Sequence, residues 1–167
     1  MQKHHTAAGI LTLPTLIGGG LTLAAALLTG LSVGSALPAI HALRAEAILP
    51  PVWLMSLLWL SSFALLGGAL GYLLSCPSGG ALREARLWRG ATFLVLTVTL
   101  ALVWYSLLFG KLLLLPSWLC LLLAAAASLT CALSWWPISR GAALIAGGCS
   151  LWQLSLFFWE LAIIIHN

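Results

Sequence analysis

Uncharged stretches of membrane-spanning length are the feature that most limits what this chain can fold into. No Asp, Glu, Lys or Arg occurs in four long stretches, which cover residues 47–82, 90–110, 112–139 and 141–159. A helix needs about 20 apolar residues to cross a hydrocarbon layer roughly 30 Å thick. Because lipid offers no hydrogen bonds, the backbone groups of each span must bond within that span. We therefore predict an all-α, polytopic membrane protein, a five-helix bundle that forms one domain over residues 1–167. The five spans are expected near residues 8–34, 49–75, 87–109, 112–135 and 139–165.

Composition excludes several classes of function. Hydrophobic residues make up 62% of the chain and charged residues 6%, which no ordinary soluble domain shows. The net charge of +4 comes from cations scattered over short loops, so we expect no nucleic-acid binding. With three acidic residues, and no nucleophile beside a base, we expect neither catalysis nor a metal site. The four cysteines lack metal-binding spacing and are interpreted as free packing residues.

The distribution of cations predicts how the bundle is oriented. With five spans, two cations fall on the C-terminal side of the membrane, Arg44 and Lys111. Five fall on the N-terminal side, namely Lys3, Arg83, Arg86, Arg89 and Arg140. The positive-inside rule then places the N-terminus in the cytoplasm. The expected membrane is that of a bacterial cell, or a mitochondrial or plastid membrane if the source is eukaryotic. The indoles expected to form an aromatic belt at the inner span ends are those of Trp88, Trp135 and Trp136.

Local signals mark helix starts and close helix contacts. Pro50 and Pro51 are typical of the first turn of a helix, and Ser139 is a suitable N-cap for the fifth span. Small residues four apart allow helices to approach closely, and they occur in three sets: Gly30 with Gly34, Gly67 with Gly71, and Ala124 with Ser128 and Ala132. Packing within the chain is the favoured interpretation, and a homodimer interface is the alternative.

Several segments together resemble one known family. The segments are "PPVWLMSLLWLSSFALLG" at 50–67, "WYSLLFG" at 104–110 and "SRGAALIAGGCSLW" at 139–152. They are similar to the TspO family, also called the translocator protein or tryptophan-rich sensory protein family. The matching positions include Pro50, Pro51, Trp53, Trp59, Phe63, Gly67, Trp104, Phe109, Gly110, Ser139, Ala142, Ala143, Trp152 and Asn167. The resemblance implies five spans, with a lipophilic ligand held between the helices below the first loop.

The resemblance also implies a ligand class and a set of site residues. The ligand would be a porphyrin or other tetrapyrrole, or a sterol-like molecule such as cholesterol, carried for transport or sensing. No cofactor is obligatory, although bound porphyrin or haem is expected to fit. The expected ligand-binding residues are Trp53, Phe63, Trp104, Trp152, Leu156 and Glu160. The chain departs from the family at Leu57, Ala101, Gly148 and Cys149, all in ligand-facing or lid regions.

Glu160 needs an explanation of its own, because a charged group deep in a membrane costs about 2.5 to 3.5 kcal/mol. It shares a narrow helical arc with Cys149, Trp152, Gln153, Leu156 and Asn167, so this arc should face the bundle interior. The family's pocket asparagine aligns with Glu160, which favours a role in the ligand site. We expect the carboxyl to be neutral and to donate a hydrogen bond. The alternative is that Glu160 reaches outward, or pairs with Lys111 or Arg44.

Two other functions stay open at this point. The first is a structural or accessory subunit of a larger membrane complex, which keeps the fold without binding a ligand. Ala101, Gly148 and Cys149 favour it, since each removes a polar or aromatic group from the expected interior. The second is a proton-coupled carrier that uses Glu160, which lacks a partner acid or histidine. His41, in the first outer loop, is a weak candidate for contact with a porphyrin metal.

Overall fold

Five helices form the described part of the protein. The computed structural model describes residues 13–33, 52–76 and 80–166, and within them all side chains except those at 29–33, 52–53 and 166. The helices are α1 (Leu13–Val33), α2 (Val52–Ser75), α3 (Ala81–Tyr105), α4 (Leu114–Trp135) and α5 (Arg140–His166). A π-helical segment, Ser106–Gly110, continues α3. Helices α2 to α5 are each long and apolar enough to cross a membrane, and α1 is apolar over Leu13–Leu28. The prediction of an all-α membrane bundle is confirmed.

The start of α3 differs from the prediction. We expected this span to begin near residue 87, with a connection before it, whereas the helix begins at Ala81. Gly80 has a φ of 92°, a conformation that ends the preceding connection and that glycine adopts without strain. From Ala81 onward the chain is rich in Ala, Leu, Arg and Glu, which favour helix whether or not they lie in lipid. The uncharged stretch therefore did not mark where the helix begins.

The helices pack as a pair and a trio. The pair consists of α1 and α2, and the trio of α3, α4 and α5, in which α4 packs against both neighbours. Helix α2 contacts α5 and α3 much less extensively than it contacts α1. We call this boundary between α2 and the trio the seam.

Close approach of two backbones holds the pair together. A side chain at Gly67 would collide with the Gly18 carbonyl, so glycine is required where α1 crosses α2. The Thr22 hydroxyl donates a hydrogen bond to the Phe63 carbonyl oxygen at 2.6 Å, which joins the two helices. The prediction that Gly67 and Gly71 serve packing within the chain is confirmed, because both face α1. The Gly30 and Gly34 pair lies outside the described side chains.

Small polar residues hold α4 against α5. The Ser128 hydroxyl donates to the Ala146 carbonyl at 2.8 Å, and the Ser150 hydroxyl donates to the Ala125 carbonyl at 2.9 Å. Both serines are buried, and so are Ala124 and Ala132. Small residues let the helices come close enough for these side chains to reach the opposite backbone. The third predicted set of small residues thus packs within the chain.

At one end of the bundle α2 and α4 end and α3 and α5 begin, and we call it the Arg-rich end. Its residues confirm one prediction and correct another. The Ser139 hydroxyl accepts a hydrogen bond from the Ala142 amide at 3.4 Å, as predicted for an N-cap. Trp88 and Trp136 are 56% and 52% exposed, which suits an aromatic belt. Trp135 was wrongly placed in this belt, because it is 0% exposed and packs against Gly90. Adjacent side chains on a helix point in different directions, so Trp135 faces the bundle where Trp136 faces outward.

Candidate functional site

The polar face of α5 points into the bundle. Cys149, Gln153, Leu156 and Glu160 are all buried, and Trp152 is half-buried beside them. These positions recur at helical spacing, so they share one side of α5. The predicted inward orientation of this arc is confirmed for the described residues. Asn167, which was assigned to the same arc, lies outside the described residues.

A small cavity lies at the seam beside this face. Its volume is about 10 Å³, enough for about one water molecule. Three helices contribute to it: α2, α3 and α5. The lining residues are Trp59, Ser62, Phe63, Leu66, Thr97, Val98, Ala101, Cys149, Trp152 and Gln153. The wall is therefore mainly aromatic and aliphatic, with a few polar groups.

Several polar atoms around the cavity have no hydrogen-bond partner in the described part of the chain. They are Nε1 of Trp59, Nε1 of Trp152 and Oε1 of Gln153. An unsatisfied buried donor or acceptor costs about 1 to 3 kcal/mol. Nε1 of Trp118 and of Trp159 is also without a partner, but neither residue lines the cavity. What distinguishes the seam is that two donors and one acceptor surround the same space.

Trp59 connects the cavity to a group of aromatic rings. Its ring centroid lies 4.8 Å from that of Phe63 and 5.3 Å from that of Trp104. It also stacks on Tyr105 at 5.3 Å. Contacts of this kind are worth about 0.5 to 1.5 kcal/mol beyond the area they bury. Trp59 therefore holds α2 against α3 at the side of the cavity nearer to Glu160.

Glu160 lies outside the cavity lining and inside the trio, with an exposure of 0%. The Trp104 indole of α3 donates to its Oε2 at 2.9 Å, and the Ser117 hydroxyl of α4 contacts its Oε1. The alternative that Glu160 reaches outward is wrong, because its carboxyl joins all three helices of the trio. In the described residues its contacts are with these two groups rather than with Lys111, which is exposed. Arg44, the other suggested partner, lies outside the described residues.

The hydrogen atoms available to Ser117 bear on the charge of Glu160. The Ser117 oxygen lies 2.8 Å from the Leu114 carbonyl oxygen and also contacts the Glu160 carboxyl, yet a hydroxyl has one hydrogen to donate. Both contacts are hydrogen bonds at once if Ser117 donates to Leu114 and a protonated Glu160 donates to Ser117. The Trp104 N–H then donates to the other carboxyl oxygen. A neutral Glu160 satisfies all of these groups at once, and its neutral state stays a prediction, as it was from the sequence.

The expected site residues fall into two neighbouring groups. Phe63 and Trp152 line the cavity. Trp104 and Leu156 belong to a second buried cluster, in which Glu160 makes its hydrogen bonds. The Trp53 side chain and His41 lie outside the described residues. No group of three His, Cys, Asp or Glu side chains that could hold a metal occurs in the described ranges.

Sequence reasoning did not select three residues that shape these groups. Trp59 was matched to the family pattern but not chosen for the site, although it touches the cavity and Trp104. Gln153 was placed on the inward arc without a role. Ser117 had a detectable signal, because it shares a helical face with Leu121, Ala124 and Ser128, which is the buried face of α4.

Comparisons of the chain with protein-family models, with curated proteins and with solved structures gave no match.

Proposed function

We propose that this membrane protein binds a lipophilic small molecule at the seam, between α2, α3 and α5. The observation that supports the proposal is the cavity and the groups around it that have no partner among the described residues, namely two indole N–H donors and the Gln153 carbonyl oxygen. Flat indole and phenyl rings around these groups suit a planar, largely apolar molecule with a few polar atoms. The ligand class, a tetrapyrrole such as a porphyrin or a sterol-like molecule, rests on the resemblance to the TspO family.

Entry of such a ligand requires the seam to open. A cavity of about 10 Å³ is far smaller than a porphyrin or a sterol, for which pockets of about 300 Å³ or more are usual. The seam is the boundary where the helices contact each other least, whereas the pair and the trio are each tightly packed. Separation of α2 from the trio would therefore enlarge the cavity at a smaller cost than separation of α4 from α5.

Titration with protoporphyrin IX tests the proposal, with quenching of tryptophan fluorescence as the measurement. Trp152→Leu removes an indole from the cavity wall, and stacking of a planar base on an indole is worth about 1 to 3 kcal/mol. We expect affinity to fall by about 5- to 150-fold. Trp118→Leu is the matched control, since Trp118 is also partly buried, has an N–H without a partner in the described ranges, and does not line the cavity. Equal losses in both variants, or no binding by the parent, would contradict the proposal.

A structural or accessory subunit of a larger membrane complex is the second candidate function. The small size of the cavity favours it, because the seam as described is almost filled by side chains. This role predicts copurification with other membrane proteins at a fixed stoichiometry after mild solubilisation. A parent protein that purifies alone, as a monomer or a homodimer, and binds protoporphyrin would exclude this role.

The proposed orientation places the N-terminus and the Arg-rich end in the cytoplasm of a bacterial cell. Arg83, Arg86 and Arg89 lie in the first turns of α3, and Arg140 begins α5, so these four cations share one end. A reporter inserted near Gly79 should then be cytoplasmic, and one fused after Asn167 should lie on the opposite side. Two reporters on the same side would contradict a five-span arrangement.

A further inference from the structure

A second concave surface lies at the Arg-rich end, away from the seam. It is a groove of about 250 Å³ between the last turn of α2 and the first two turns of α3. Residues from both helices line it: Leu73, Leu74, Cys76, Arg83, Glu84, Leu87 and Trp88. None of these residues lines the seam cavity, so the two sites are separate.

The groove combines an apolar floor with a charged rim. Leu73 and Leu87 form the floor, and Leu74 continues it along the exposed side of α2. Arg83 and Glu84 stand at the rim, and the exposed Trp88 lies one turn further along α3. An apolar floor at the end of two spans suits an acyl chain, and a cation with an indole suits a headgroup.

The charges near the groove favour an anionic occupant. Arg86 and Arg89 follow Arg83 on α3, and the Arg89 guanidinium is held against α4 by a hydrogen bond to the Ser134 hydroxyl at 3.1 Å. The first turns of α3 thus carry three arginines and one carboxylate, that of Glu84, and of these four side chains Arg83 and Glu84 line the groove. The amide N–H groups at the start of α3 add further positive potential. A phosphate at the rim would therefore gain from Arg83 and the start of α3, and it would be opposed by Glu84.

We propose that this groove binds one anionic phospholipid. Its phosphate lies beside Arg83 and the start of α3, and an acyl chain runs over Leu74 and Leu87. The apolar floor is the reason to assign a lipid rather than a soluble anion, since free phosphate would leave the leucines without a partner. Glu84 opposes the phosphate, so the affinity of the parent protein is lower than the arginines alone would give.

Native mass spectrometry of the full-length protein in mild detergent, titrated with phosphatidylglycerol, tests this proposal. Arg83→Gln should weaken binding about fivefold, the effect of one cation near a phosphate. Arg140→Gln is the matched control, because it removes an exposed arginine at the same end outside the groove. Glu84→Gln should tighten binding by a similar factor. Because Glu84→Gln is expected to strengthen lipid binding, this variant still tests the proposal if Arg83→Gln fails to fold.

Three outcomes would overturn the proposal. Equal weakening by Arg83→Gln and Arg140→Gln would mean that the net charge of this end attracts the lipid without a specific groove. If phosphatidylcholine bound as tightly as phosphatidylglycerol, the charge of the headgroup would not contribute to binding. Competition by inorganic phosphate at the same concentration as the lipid would identify a site for free anions instead.

Discussion

Gln153 and Glu160 occupy the same face of α5, seven residues apart, yet their surroundings differ. Both are buried, with exposures of 6% and 0%. Both carboxyl oxygens of Glu160 have a partner, one on α3 and one on α4. The Oε1 atom of Gln153 has none in the described part of the chain and stands beside a cavity.

The difference follows from which helices each residue faces. Glu160 points into the trio, where α4 packs tightly on both neighbours and brings Ser117 and Trp104 within reach. Gln153 points to the seam, where α2 approaches the trio with fewer contacts. Polar groups satisfied by each other stabilise a fixed arrangement, whereas polar groups left unpaired around a space suit a ligand. We therefore propose that Glu160 serves the fold and that Gln153 serves the proposed ligand site.

The largest expected effect comes from locking the seam. Cys149 Sγ lies 3.9 Å from the Ser62 carbonyl oxygen across the cavity, which places α2 and α5 close together. With the other three cysteines replaced by alanine, Ser62→Cys can be joined to Cys149 by a short thiol crosslinker. Because Ser62 and Cys149 both line the cavity, the crosslink closes the seam at the proposed site itself and should abolish protoporphyrin binding. The measurement is quenching of tryptophan fluorescence before and after crosslinking.

A crosslink within the trio is the control for this experiment. Ser128 and Ala146 already meet across α4 and α5, so Ser128→Cys with Ala146→Cys joins helices that are not expected to separate. Binding should survive this second crosslink. Loss of binding in both proteins would mean that the ligand site needs motion of the whole bundle, and retention in both would remove the seam as the entry route.

The next effect concerns Glu160 and its stabilising role. Glu160→Lys places a cation beside the Trp104 N–H, which can only donate, and a buried unpaired charge costs about 3 to 5 kcal/mol. We expect strong loss of stability in detergent, measured as the free energy of unfolding. Glu160→Gln should stay close to the parent, because a neutral amide accepts from Trp104 and donates to Ser117 as the protonated acid does.

The Gln variant decides which form of Glu160 the fold uses. If Glu160→Gln is as unstable as Glu160→Lys, the negative charge itself is required and the neutral assignment is wrong. Infrared difference spectroscopy provides an independent measurement. A carboxylic acid band that disappears in Glu160→Gln supports the neutral form, and carboxylate bands that disappear in the same variant at pH 6 contradict it.

Much of the fold followed from the sequence because the membrane imposes simple rules. The uncharged stretches predicted where helices lie, and the helical arc predicted that Glu160 faces inward. Its partners were not predictable from one sequence, since Ser117 and Trp104 lie 43 and 56 positions away and reach it only through tertiary packing. Trp135 and Trp136 illustrate the same limit, because composition assigns both to the interface while the angle between them buries one.

The smallest stability effect is expected for Gln153→Leu, which is compared with leucine at Glu160. Glu160→Leu leaves the Trp104 N–H without its acceptor and Ser117 without its second partner, which should cost about 1 to 3 kcal/mol for each buried group. Gln153→Leu instead removes an oxygen that has no partner in the described residues, and the new side chain has a similar volume. The free energy of unfolding should therefore change by less than about 1 kcal/mol.

Binding should respond to these two substitutions in the opposite order. Gln153→Leu deletes an acceptor at the cavity that has no partner in the described residues, so a ligand with a hydrogen-bond donor should bind roughly 10-fold more weakly, the value of one ordinary hydrogen bond. A folded Glu160→Leu protein, measured well below its lowered melting temperature, should lose less affinity because Glu160 does not line the cavity. The two quantities, unfolding free energy and protoporphyrin affinity, thus separate the two residues. A Gln153→Leu protein destabilised by more than about 2 kcal/mol would show that Gln153 is part of the fold after all, with a partner beyond the described residues.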